Sequence, residues 1–246
     1  MTREILTFDP PQPGPAVRGT VILLPGRGEH PGVYERFGRR LSLDAYTVHA
    51  LAVRPDDDPA DLRDQIAALA ADAVGPVVLA GSDTGALHAL ALATEGKLDV
   101  DGLLLAGTPD NDEADDEATD WDQELELRTT CPTHRGQLTE DAAFTRGSLF
   151  EPVPDRLGAF LRLGDEAYAA ISGNTLVIHG KSDLLSPPTL AASLAARLPS
   201  ATLALVSGAP HDVLNDASHR SVAAAVVQWL EALRAGAPAR PIVEYA

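Results

Sequence analysis

The stretch Pro76–Gly85, PVVLAGSDTG, constrains this chain most. Val77, Val78, Leu79 and Ala80 read as a short strand buried on both faces. A tight Gly-x-Asp-x-Gly turn follows, from Gly81 to Gly85, and a helix opens at Thr84. Glycines at the two flanking positions let strand and helix approach closely, while the central residue takes a strained conformation. Such a turn sits at the carboxyl end of a strand, where ligands bind in open α/β sheets.

The rest of the chain supplies the strands and helices that this turn needs. Ile5–Phe8 reads as a short edge strand, and Pro10–Ala16 as a stiff loop. Thr20–Leu24 is a continuous apolar strand that ends in Pro25-Gly26-Arg27-Gly28-Glu29-His30. The pattern then predicts a helix over Val33–Leu41, a strand over Tyr46–Val53 and a helix over Asp61–Ala73, with Asp58-Pro59 as its start signal. The helix that opens at the Gly-x-Asp-x-Gly turn runs over Thr84–Thr94, and further strands over Gly102–Ala106, Asn174–His179 and Thr202–Val206. Helices follow the last two strands, at Pro188–Arg197 and Ala217–Leu233. Strands alternating with helices imply a parallel sheet covered on both faces. Gly236–Ala246 reads as a loosely attached tail.

The alternation breaks once. Residues 110–172 hold no core strand. They begin with an acidic run, Asp110–Asp122, and continue with helical pieces at Trp121–Thr129, Leu138–Phe144 and Arg156–Ile171. A structureless loop of that length does not suit a compact domain. The segment is expected to be a helical cap, inserted into a core made of residues 1–109 and 173–246.

Composition narrows the partners. A net charge of −17 argues against nucleic acid or an anionic membrane surface. Only one cysteine, Cys131, is present, so no internal disulfide can form. The N-terminus has no signal-peptide core and no apolar run spans a bilayer, so a cytoplasmic location is expected. There is no His-Glu-x-x-His and no clustered metal ligands, and no metal or cofactor is expected.

Two loops after the elbow also carry ionisable residues just past strand ends: LVIHGKSDLLSPP with Asp183, and VSGAPHDVLND with His211. Together with LLPGRGEHPGVYERF near the start, these motifs resemble the monoacylglycerol lipase and lysophospholipase branch of the α/β-hydrolase fold, over nearly the whole chain except the cap. The Gly-x-Asp-x-Gly turn resembles the nucleophile elbow of that superfamily, with Asp83 where most members carry Ser. The resemblance implies His211 as the base, Asp183 as its orienting acid, and the backbone N–H groups of Arg27 and Thr84 as an oxyanion hole. Asp110 is a rival acid, because some members place it after that earlier strand. Ser82 lies one residue early for a displaced nucleophile. Tyr34, Trp121, Tyr168 and Ser82 are candidate pocket residues, although a lone aromatic in a helical cap is more often packing.

An Asp at the elbow points away from ordinary ester hydrolysis. Its attack on an ester gives an anhydride, whereas its attack on saturated carbon gives an alkyl ester that His-activated water can hydrolyse. Epoxide hydrolases and haloalkane dehalogenases of the superfamily work this way, but Thr84 stands where the latter have a halide-binding Trp. The expected function is hydrolysis of a small apolar electrophile, epoxide-like, through Asp83. The alternatives are a non-covalent Asp/His lyase, isomerase or cyclase, and a binding protein that has lost its serine.

Overall fold

In the computed structural model, residues 3–110 and 120–236 are described. The tail 237–246 and residues 111–119, most of the acidic run, lie outside them.

Among the described residues, seven strands form one sheet in the order β1-β3-β2-β4-β5-β6-β7. They are β1 (Ile5–Phe8), β2 (Gly19–Leu24), β3 (Tyr46–Leu51), β4 (Val77–Ser82), β5 (Gly102–Ala106), β6 (Asn174–Gly180) and β7 (Ala201–Val206). Only β1 runs antiparallel, against β3 at the edge. The rest pair in parallel. The alternation of side chains divides the core in two. Val21, Leu23, Val78 and Ala80 face one cluster, and Ile22, Leu24, Val77 and Leu79 face the other.

Helices α1 (Glu35–Leu43) and α9 (His219–Arg234) cover the first face through Phe37, Leu41, Val226 and Trp229. Helices α2 (Pro59–Ala71), α3 (Thr84–Thr94) and α8 (Pro188–Arg197) cover the second through Leu62, Ile66, Leu90 and Leu194. Helix α3 is buried along ten successive residues, Thr84 to Ala93, so it runs through the middle of that layer. The Asp58 side chain caps α2 by accepting from Ala60 N–H, with Pro59 in the first turn.

The chain passes from β2 to β3 on one side and to β4 on the other. The loops after β2 and β4 therefore meet at the point where the strand order reverses.

Residues 120–171 lie between β5 and β6 as short helices: α4 (Trp121–Arg128), α5 (Pro132–Glu140), and single turns α6 (Asp155–Gly158) and α7 (Asp165–Tyr168). Asp120 and Gln123 close a capping box at the start of α4. Two expectations fail here. The helix read at Leu138–Phe144 is instead the end of α5, which starts at Pro132, the favoured first position of a helix. The helix read over Arg156–Ile171 is broken by Leu163 and Gly164, both extended. Leu125, Leu138 and Phe144 form a small core under this segment.

Candidate active site

The elbow has the predicted shape. Asp83 lies at φ 50°, ψ −124°, a conformation that a non-glycine residue adopts only under strain. A Cβ on Gly81 would meet the Gly85 carbonyl oxygen at 2.1 Å, and one on Gly85 would meet that of Leu24 at 2.1 Å. Any side chain at either position would push β4, α3 and β2 apart.

Asp83 is 2% exposed, and four groups surround its carboxylate. Arg27 N–H donates to Oδ2 at 2.8 Å, and the Arg27 guanidinium grips both oxygens, with Nε 2.9 Å from Oδ2 and Nη2 2.8 Å from Oδ1. His211 Nε2 lies 3.3 Å from Oδ1, and Thr84 Oγ1 3.5 Å from Oδ2. On the far side of the ring, His211 Nδ1 is 2.8 Å from Asp183 Oδ2. Asp183 is itself fixed by the backbone N–H groups of Leu185 and Ser186, both 3.0 Å from Oδ1. The acid on Nδ1 is thus Asp183, and not its rival Asp110.

His211 therefore meets a carboxylate at each nitrogen, an arrangement that favours the imidazolium with both nitrogens donating. Burial alone would lower its pKa. The Asp183 charge and hydrogen bond, joined by those of Asp83, outweigh that and push it up to about 10. Burial would likewise raise Asp83, but the charges and hydrogen bonds of Arg27 and His211 hold it well below the usual carboxylate range. Charges alternate along the row Asp183, His211, Asp83, Arg27.

This fixes a pH dependence. His211 binds its proton more tightly folded than unfolded, so its stabilisation is complete below about pH 6.5 and is lost as pH rises toward about 10. Stability by urea denaturation is expected to fall across that window by up to ~1.4 kcal/mol per pH unit. The fall should vanish in His211→Gln. A profile that is flat from pH 6.5 to 10 in the unmodified protein would contradict the doubly paired imidazolium.

Three residues that the motifs did not single out complete the site. The Arg27 side chain, expected to contribute only its N–H, occupies the Asp83 carboxylate, and its Nη1 also donates to the Glu151 carbonyl at 2.7 Å. Arg128, 1% exposed, bonds Glu124, the Arg27 carbonyl and Asp212. It ties α4 to the loops that carry Arg27 and His211, as do the bonds from His211 N–H to the Leu127 carbonyl and from Asp212 N–H to that of Arg128. Glu29 accepts from Gly26 N–H at 2.8 Å and from Tyr34 Oη at 2.5 Å. An Arg beside an Asp elbow and the acid of the Gly-Glu-His run were the available signals.

A cleft of about 880 Å³ opens beside the site. Its walls come from Gly26 and Gly28–His30, from the loop after β3 (Ala52–Pro55, Asp57), and from Ala143, Thr145, Ser148 and Glu151. Asp83 and His211 are not among its wall residues, and the Arg27 guanidinium joins Asp83 to the cleft-lining Glu151. The candidate pocket aromatics lie elsewhere. Tyr168 is buried against α3, with its hydroxyl on the Phe160 carbonyl. Trp121 packs at a tilt against Phe144, under the Arg146 guanidinium. Tyr34 stands behind Glu29, and Ser82 is buried at the end of β4. Among the described residues there is no metal-binding cluster, and no helix is long and apolar enough to cross a membrane.

A model of the α/β hydrolase family matches residues 21–228. No curated protein matches the chain. Among solved structures it is similar to a monoacylglycerol lipase from Paleococcus ferrophilus, with 19% identity, TM-score 0.73, and coverage of 95% of this chain and 100% of that one. A soluble variant of monoglyceride lipase from Saccharomyces cerevisiae gives 18%, 0.77, 93% and 91%. A thermophilic esterase from Thermogutta terrifontis gives 20%, 0.67, 94% and 93%. At these identities the structural likeness speaks for the fold.

Proposed function

Because the chain belongs to the α/β hydrolase family, whose model spans most of it, we propose that it hydrolyses a small organic electrophile through an alkyl ester on Asp83. The observation that carries this reading is the placement of the Asp83 carboxylate. Oδ2 sits on the Arg27 N–H, where an oxyanion hole is expected, while Oδ1 faces His211 Nε2 with Asp183 behind it.

The charges explain how one histidine serves both steps. In the resting site His211 is an imidazolium and cannot be a base. Alkylation of Asp83 removes one of the two anions that hold its proton, while the Arg27 cation stays close. The imidazolium then loses its proton more readily, and neutral His211 becomes the base for water attack on the ester.

One turnover in oxygen-18 water tests this. Water attack at the ester carbonyl carbon puts label into the Asp83 carboxylate, read by mass spectrometry of the Gly75–Lys97 region. Label in the product alone would overturn it.

A second reading draws on the same contacts. Both Asp83 oxygens are held by the guanidinium, which weakens a nucleophile, and His211 carries a proton it can give. A non-covalent acid–base enzyme would turn over with no label in Asp83.

A further inference from the structure

This inference rests on the alkyl-ester reading of Asp83. Opening a C–O bond at saturated carbon leaves an alkoxide, which needs a proton, whereas a departing halide needs none. The aromatic hydroxyl of the intervening segment, Tyr168, is bonded to a carbonyl deep in the core and cannot supply it. The imidazolium of His211 is engaged by two carboxylates until Asp83 is alkylated, so its proton is released only after the C–O bond has broken.

Glu29 stands at the other side of the nucleophile. It lines the cleft, half-buried, with Gly26 between it and Asp83. The point where Gly26 would carry a Cβ is 3.0 Å from Glu29 Oε2 and 3.2 Å from Asp83 Oδ2. The two carboxyl oxygens are thus no farther apart than the sum of those distances. That bound on Oε2 and Oδ2 places the two carboxyl groups near enough for one small bound substrate to meet both, with Asp83 attacking carbon and the Glu29 Oε1 side facing the leaving oxygen. Oε2 accepts both hydrogen bonds, from Gly26 N–H and Tyr34 Oη, which fixes the group and leaves Oε1 for a ligand.

We infer that Glu29 is the acid of this site, delivering its proton to the leaving oxygen, and that the substrate is therefore an epoxide or comparable strained ether rather than an alkyl halide. Asp83 Oδ attacks carbon, the C–O bond breaks, and the oxygen takes the Glu29 proton. Water then releases the alcohol from the ester, and Glu29 regains its proton from solvent.

Its surroundings keep that proton available. Burial and the negative charge of Asp212 push Glu29 up to about 7, against the opposing Arg128 charge and the Tyr34 and Gly26 hydrogen bonds. A carboxyl raised that far keeps its proton much nearer to neutral pH than an ordinary glutamate does.

The test uses the full chain carrying His211→Ala, in which the ester accumulates. The rate of the Asp83-dependent mass increase is measured with styrene oxide and with benzyl bromide, with and without Glu29→Gln. The epoxide-to-bromide rate ratio is expected to fall about 10²-fold or more in Glu29→Gln. With Glu29 intact, the epoxide rate should drop tenfold per pH unit above about 7, and the Gln variant should lose that dependence. An unchanged ratio, or a pH profile that survives the substitution, overturns the role of Glu29 while leaving the ester on Asp83 intact. The absence of an Asp83-dependent adduct from both probes overturns the ester itself, and this role with it.

Discussion

Arg27→Ala is expected to lower folding stability by about 3–5 kcal/mol, far beyond an ordinary surface arginine. The substitution leaves the Asp83 carboxylate buried, next to Glu29, with its main counter-ion gone. Breaking one partner of a buried pair costs more than removing both, because the survivor stays desolvated. Arg27→Ala with Asp83→Ala should therefore regain part of the loss. Urea denaturation of the two single variants and the double variant reads this as a coupling energy. A loss below about 1 kcal/mol for Arg27→Ala would fit an exposed pair instead, and would mean that Arg27 spends most of its time off the Asp83 carboxylate.

Asp183→Asn is expected to reduce turnover by about 10⁴-fold while leaving the first alkylation of Asp83 largely in place. An asparagine can present an N–H to His211 Nδ1, which forces the wrong tautomer and leaves Nε2 unable to take a proton from water. The ester should then build up, as in His211→Ala. Steady-state turnover and intact mass on the same samples separate the two steps. A loss of only a few-fold would remove Asp183 from its orienting role, even though it lies 2.8 Å from the ring.

The fold was legible because each signal was local and agreed with its neighbours. The apolar runs at Thr20–Leu24 and Gly102–Ala106 have the length and composition of strands buried on both faces, and Asp58-Pro59 caps the helix that follows. The positions of Asp83, Asp183 and His211 followed from their place after strand ends, and the structure brings all three into one row. The 110–172 segment resisted reading because its helices are short and their ends are set by Pro132, Leu163 and Gly164 rather than by an apolar repeat.

The electrostatics were harder to see. Nothing in the Gly-Arg-Gly run says whether the arginine turns to solvent or onto the elbow. That depends on Glu151 and Arg128, more than a hundred residues away, which anchor its guanidinium and its carbonyl. Glu29 reads as one more surface acid until Tyr34 and Gly26 are seen to close on it. Long-range pairing of charges leaves no periodicity in a sequence.

The central claim is that Asp83 forms a bond to carbon. Intact-protein mass spectrometry of His211→Ala, incubated with a panel of epoxides and alkyl halides beside an Asp83→Asn control, tests it most directly. A stable mass increase equal to the added electrophile, present in His211→Ala and absent when Asp83 is Asn, is the predicted result. No adduct across the panel, or one that forms equally well with Asn at position 83, would contradict it.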